Sequence, residues 1–124
     1  MSPLFVYNPS IMATINVYEQ YFEAECCFNG RDRHAALVRL ISDSENKSTK
    51  YEVAVSFFPH DEPDDFAVSY DAYVSKEVYS APGRRSKKKE TALLETFRQE
   101  ADQLAASING KIFWERPLRE ARLG

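Results

Sequence analysis

The chain has 124 residues, a formal charge of −3 and a sequence pI of about 5.4. This length is typical of one domain built around one hydrophobic core. The net negative charge excludes a surface devoted as a whole to nucleic acid, because affinity for the phosphate backbone comes from accumulated Lys and Arg. The N-terminus lacks the apolar run of a signal peptide, and no stretch approaches the roughly 20 apolar residues of a membrane span.

The first half of the chain predicts antiparallel strands. Residues 1–12 are predicted to form an N-terminal arm and residues 13–124 a single domain. Apolar and acidic residues alternate over 14–28, which is typical of a half-buried strand. Asn29 and Gly30 follow at once, and both tolerate the positive φ of a type I′ hairpin turn. The returning segment, 34–41, is compatible with a strand or with a short helix, and the polar segment 42–49 is predicted to be a loop.

Two further strands precede the helix. Alternation over 51–58 predicts a strand that stops at Pro59, because proline cannot donate to a ladder. Alternation over 66–75 predicts the next strand, with a continuation through Val78 and Tyr79 beyond a bend near Lys76. The residues Ala81, Pro82 and Gly83 are predicted to end the sheet, because proline and glycine interrupt regular structure.

Residues 86–109 predict one amphipathic helix. Ser86 is a candidate N-cap and Gly110 a candidate left-handed stop. The fold class is therefore α+β, a four-stranded antiparallel β-meander with one long C-terminal helix on one face and the other face open. Residues 111–115 are compatible with a short fifth strand that would carry Phe113 or Trp114 into the core. The helix has an apolar stripe at spacings of three and four, made of Leu93, Leu94, Phe97, Ala101, Leu104, Ala105 and Ile108.

A run of five cations in six positions lies at the start of this helix. The amides and the positive dipole end of a helix N-terminus favour an anion, so additional cations there destabilise the helix unless a partner neutralises them. The pattern indicates contact with a phosphate group of a nucleic acid, with solvation or an acidic protein partner as the alternatives. The candidate residues are Arg84, Arg85, Lys87, Lys88 and Lys89.

The strand at 51–58, the loop with Pro59 and His60, the strand opening at Phe66 and the sequence Ser86-Lys87-Lys88 resemble part of a double-stranded-RNA-binding domain. The resemblance covers residues 37–94 and would place Leu37 and Leu40 in that family's first helix. In that family, lysines at a helix start contact phosphates across a groove and a His-bearing loop enters the minor groove. The resemblance therefore implies that Lys87, Lys88 and His60 contact RNA.

Other candidate sites predict little chemistry. Parity places Tyr73 on the exposed side of its strand, where its ring can contact a base or a protein partner. The acidic loop 60–65 contains no Gly for a cation-binding turn, so no metal or cofactor is expected. The sequence also lacks the common enzyme signatures, and Cys27 with His34 would form a nucleophile pair only if their strands placed them side by side. We expect reduced cysteines, a cytoplasmic protein and no enzyme activity.

The composition and pattern together favour a non-catalytic binding module that contacts nucleic-acid phosphates through the basic segment. The alternative is a protein-interaction module, such as an inhibitor or accessory factor, that docks through its acidic surface or its open sheet face. That open face also permits a homodimer.

Overall fold

The computed structural model describes residues 12–45, 47–59 and 72–118. The described strands form one antiparallel sheet in the order β4-β3-β2-β1-β5. The predicted α+β class is therefore confirmed, and the fifth strand lies at the sheet edge beside β1. In chain order the elements are β1 (Met12–Phe28), β2 (Arg31–Glu45), β3 (Ser48–Phe58), β4 (Tyr73–Pro82), α1 (Lys87–Ala106) and β5 (Gly110–Pro117). Of the predicted arm, only Met12 is described, and it begins β1.

The β1–β2 hairpin forms at the predicted turn. Asn29 and Gly30 both have positive φ, at 55° and 73°, and the flanking residues Phe28 and Arg31 are paired. This is the geometry of a type I′ turn, whose twist matches that of the strands it joins. The segment 34–41 lies within β2, so the strand alternative is confirmed.

The predicted loop at 42–49 is wrong. Strand β2 continues to Glu45 and β3 begins at Ser48, so the connection is a tight turn in which Lys47 has a φ of 70°. The polar residues belong to the ladder because backbone groups, not side chains, make its hydrogen bonds. Across the pair, Ser44 Oγ and Thr49 Oγ1 lie 3.1 Å apart and share a hydrogen bond.

Strand β4 contains the described end of the strand predicted at 66–75. The described strand runs from Tyr73 to Pro82, and the predicted portion 66–71 lies outside the described residues. The register changes where Tyr51 pairs with Tyr79 and Glu52 pairs with Glu77, which leaves Val78 in a bulge. The predicted bend near Lys76 is thus a bulge two residues later, and the predicted end at 81–83 is confirmed.

Helix α1 packs on the sheet through its predicted stripe. Phe97, Ala101 and Ala105 are buried, whereas Leu94 is 38% exposed and lies at the margin of the stripe. Ser86 caps the helix, because its Oγ accepts a hydrogen bond from the Lys89 N–H. No helix among the described residues is long and apolar enough to cross a membrane.

Helix α1 ends at Ala106, three residues before the predicted end at 109, and the left-handed residue that follows it also differs from the one predicted. Asn109 takes the left-handed conformation, with a φ of 62°, and Gly110 is already the first residue of β5. Within β5, Ile112 is the buried residue, and the half-buried Trp114 packs between α1 and β1. Its indole ring lies 4.9 Å from the ring of Phe22.

The prediction of an open second face is wrong for the centre of the sheet. Ala35, Leu37 and Phe58 project away from α1 by strand alternation, and all three are buried. Leu118 joins them in a second hydrophobic cluster and donates its N–H to the Tyr21 carbonyl oxygen at 2.9 Å. A homodimer that needs a bare second face loses its structural basis at these positions.

Candidate phosphate-binding surface at the start of α1

The loop between β4 and α1 is fixed against the β2–β3 turn. The Gly83 N–H donates to the Lys47 carbonyl oxygen, and Thr49 Oγ1 donates to the Gly83 carbonyl oxygen at 2.8 Å. The Lys47 backbone is therefore in contact with Gly83, the residue that precedes Arg84. Lys47 is therefore a further exposed cation beside the basic segment, and we call Lys47, Arg84, Lys87 and Lys88 the basic surface.

Arg85 forms an ion pair with the buried Glu90. Its Nε donates to Glu90 Oε2 at 2.7 Å and its second terminal nitrogen donates to Glu90 Oε1 at 2.9 Å. This two-bond geometry is the strongest that Arg and a carboxylate form. Glu90 is only 6% exposed, so its charge needs such a partner. Arg85 is accordingly committed to the fold at this position.

Tyr51 links this ion pair to the backbone of the loop. Its hydroxyl donates to Glu90 Oε2 at 2.8 Å and accepts from the Ser86 N–H at 3.1 Å. The Tyr51 side chain is buried in β3, below the start of α1. The N-cap residue is thus held both by its own bond to Lys89 and by a side chain from the sheet.

These contacts change the protonation behaviour of the cluster. The hydrogen bonds from Arg85 hold the pKa of the Glu90 carboxyl below its ordinary value of 4.5, although burial opposes them. The same bonds raise the pKa of Arg85. Burial is the main reason that the pKa of the Tyr51 hydroxyl is raised. At neutral pH Glu90 and Arg85 are therefore both charged.

We expect Glu90 to add an acid-sensitive part to the stability. Its pKa is lowered on folding, so its stabilisation is fully present above the unfolded value of 4.5 and is lost as the pH falls through the folded value. The melting temperature of the parent should therefore fall more steeply below pH 4.5 than that of Glu90→Gln, measured by circular dichroism. Parallel curves for the two proteins would contradict this assignment.

Of the predicted cations, Arg85 and Lys89 already interact with side chains of this chain. Lys89 is half-buried, and its Nζ lies 4.4 Å from the centroid of the Tyr79 ring, within the range of a cation–π interaction. Arg84, Lys87 and Lys88 are exposed. Between residues that the structure describes, no ion pair involves these three cations or Lys47.

Of the remaining candidates, Tyr73 does not join this surface. Tyr73 is 39% exposed, as parity predicts, but it pairs with Ser56, whereas Pro82 pairs with Ser48 at the other end of the same strands. At about 3.3 Å per residue, Tyr73 lies roughly 30 Å from the basic surface. His60 lies outside the described residues. Leu37 and Leu40, which the RNA-binding resemblance would place in a helix, are strand residues in β2.

The hairpin register separates the candidate nucleophile from its candidate base. Cys27 pairs with Asp32 and Cys26 with Arg33, so His34 is not opposite Cys27. Cys27 is exposed, whereas Cys26 is buried and its Sγ donates to the Ile108 carbonyl oxygen at 3.2 Å. Across the described ranges, no group of three or more His, Cys, Asp or Glu residues is arranged to hold a metal ion.

Comparisons with known proteins gave no relative from which a function could be transferred. No family model matches the chain, and neither a curated protein nor a solved structure matches it. Any inference about binding therefore depends on the residues of this chain and their contacts.

Proposed function

We propose that this chain is a non-catalytic binding module that contacts the phosphates of a nucleic acid through the basic surface. The observation that carries the proposal is the pair of hydrogen bonds from the Gly83 peptide to the β2–β3 turn. They add Lys47 to the three exposed cations at the start of α1 that form no ion pair with a described residue. Exposed cations from two separate chain segments thereby lie at the same end of the sheet.

The electrostatics of this end of the sheet support phosphate contact. The nearest buried carboxylate, Glu90, is paired with Arg85, and its attraction for the exposed Lys87 is the smallest of the influences that shift its pKa. The amides of the first helical turn add the positive end of the helix dipole. Since the chain as a whole carries a charge of −3, attraction of a polyanion is confined to this local surface.

The neighbouring aromatic side chains favour contact with the backbone over recognition of bases. Tyr51 is buried, and one face of the Tyr79 ring is covered by Lys89. The exposed Tyr73 lies at the far end of β4, beyond the reach of a base held at this loop. The proposed contact is therefore with phosphates, and we expect little dependence on nucleotide sequence.

The test is removal of three cations in the variant Arg84→Ala, Lys87→Ala, Lys88→Ala. Four phosphate contacts give a slope of about −3 to −4 in a plot of log affinity against log salt for duplex DNA, and one remaining contact gives about −1. We therefore expect the variant to bind mixed-sequence DNA and RNA duplexes at least about tenfold more weakly at low salt. Fluorescence anisotropy with a salt titration measures both quantities.

The matched control removes three exposed cations from other parts of the sheet: Arg31→Ala, Lys111→Ala, Arg116→Ala. It changes the net charge equally, so it should bind as the parent does if the effect is local. The proposal fails if the parent binds neither duplex, or if the two triple variants bind equally.

The second candidate function is protein interaction through an acidic strand surface. Glu19, Glu23 and Glu25 alternate along β1 and are all exposed, and Glu23 is paired only at 3.5 Å with the exposed Arg116. Such a row can dock a basic protein surface. A specific partner that remains bound after nuclease treatment, and is lost when these glutamates are changed to Gln, would favour this function.

A further inference from the structure

Glu90 is an anion within the segment that carries the proposed phosphate site. By charge alone it should weaken the binding of a polyanion, and its removal should strengthen binding. Its contacts have the opposite consequence, because they hold the loop from which the cations project. Removal of the Glu90 charge should therefore raise the affinity if repulsion of the polyanion dominates, and lower it if fixing of the loop dominates.

The contacts of Glu90 fix the two residues between the exposed cations of the loop. Arg85 is fixed by two hydrogen bonds to the carboxylate, and Ser86 is fixed through the hydroxyl of Tyr51. Arg84 directly precedes this pair and Lys87 directly follows it. At the other end of the loop, Gly83 is bonded to the β2–β3 turn. The backbone that carries Arg84 and Lys87 is thus held on both sides.

We infer that Glu90 is a positioning residue for phosphate contact, acting through Arg85 and Tyr51; this inference rests on the proposed function. A loop already held in its binding conformation loses less conformational entropy when the ligand binds. The carboxylate therefore increases affinity for a polyanion although it carries the same sign of charge. Arg85 serves as the link between Glu90 and the loop and does not itself contact the ligand.

The experiment compares Glu90→Gln with Glu95→Gln in binding an RNA duplex. Both variants remove one negative charge from α1, but Glu95 is exposed and has no hydrogen bond or ion pair with a described residue. Glu95→Gln should bind as tightly as the parent or slightly tighter. Glu90→Gln should bind about three- to tenfold more weakly, which corresponds to the net contribution of one ordinary hydrogen bond.

A second variant, Tyr51→Phe, tests the same link without changing the charge. It removes the hydroxyl that joins Ser86 to Glu90, and it should also weaken RNA binding while the slope against salt stays that of the parent. Thermal unfolding confirms that each variant is folded at the binding temperature. Weaker binding by a folded Tyr51→Phe supports the inference even if Glu90→Gln does not fold.

Each outcome separates the inference from the proposed function. If the parent binds no duplex, the proposed function fails and the inference fails with it. If the parent binds and Glu90→Gln binds as tightly as Glu95→Gln, only the positioning role is overturned. Unchanged affinity in a folded Tyr51→Phe overturns it as well.

Discussion

Replacement of Phe97 by Ala is expected to lower the free energy of unfolding by about 3–5 kcal/mol, the usual cost of emptying a buried aromatic site. Phe97 is 3% exposed and its ring lies 4.8 Å from that of Tyr18 and 6.1 Å from that of Trp114. It therefore joins α1 to both β1 and β5. Urea unfolding followed by circular dichroism measures the change.

Leu94→Ala is the matched control for this prediction. Leu94 lies on the same predicted stripe but is 38% exposed, so its truncation should cost less than about 1 kcal/mol. A large difference between the two variants would show that the helix packs through Phe97 and not through the full predicted stripe. Equal costs would contradict the packing of α1 on the sheet.

Local patterns were sufficient to predict most of the sheet and its helix. Alternation predicts strands when one face is buried, and the pair Asn29 and Gly30 fixes the first hairpin through backbone geometry alone. The same rule fails at 42–49, because the ends of β2 and β3 are polar. There the ladder and a positive φ at Lys47 make the turn, and lysine is not a residue that indicates such a turn.

The basic segment was visible in the sequence, but the role of each cation was not. A run of charges does not show which side chains form ion pairs, and the exposed Arg85 pairs with Glu90 because that carboxylate is buried five residues later. One signal was available: Tyr51 falls on the helix-facing side of β3, where a hydroxyl needs a hydrogen-bond partner. The contribution of Lys47 depends on contacts between distant segments, which periodicity does not reveal.

The burial of the sheet face opposite α1 also could not be predicted from local sequence patterns. Strand alternation is consistent with Leu37 and Phe58 on the side away from α1, which the sequence interpretation leaves open. Their burial depends in part on Leu118, which lies far away in the chain and reaches the face because β5 pairs with β1. Which elements cover a sheet face is a property of topology, and the local pattern does not contain it.

Gly110→Ala is expected to destabilise the protein by about 1–3 kcal/mol through overpacking. A Cβ at this position would lie 2.5 Å from Phe57 Cζ and 3.1 Å from the Ala105 carbonyl oxygen. The Phe57 ring is fully buried, so it has no open space into which it can move. The glycine is therefore required by the close approach of β5 to β3 and α1, and thermal and urea unfolding both measure its loss.

Asn109→Gly distinguishes this role from the helix stop that the sequence predicts at Gly110. Asn109 is the residue with positive φ, at 62°, so glycine at 109 removes a steric restriction and should leave stability nearly unchanged. If Gly110→Ala is neutral, the tight contact with Phe57 is wrong. If Asn109→Gly destabilises as strongly as Gly110→Ala, the asparagine side chain has a role beyond its backbone conformation, and the left-handed stop alone does not explain how the chain passes from α1 into β5.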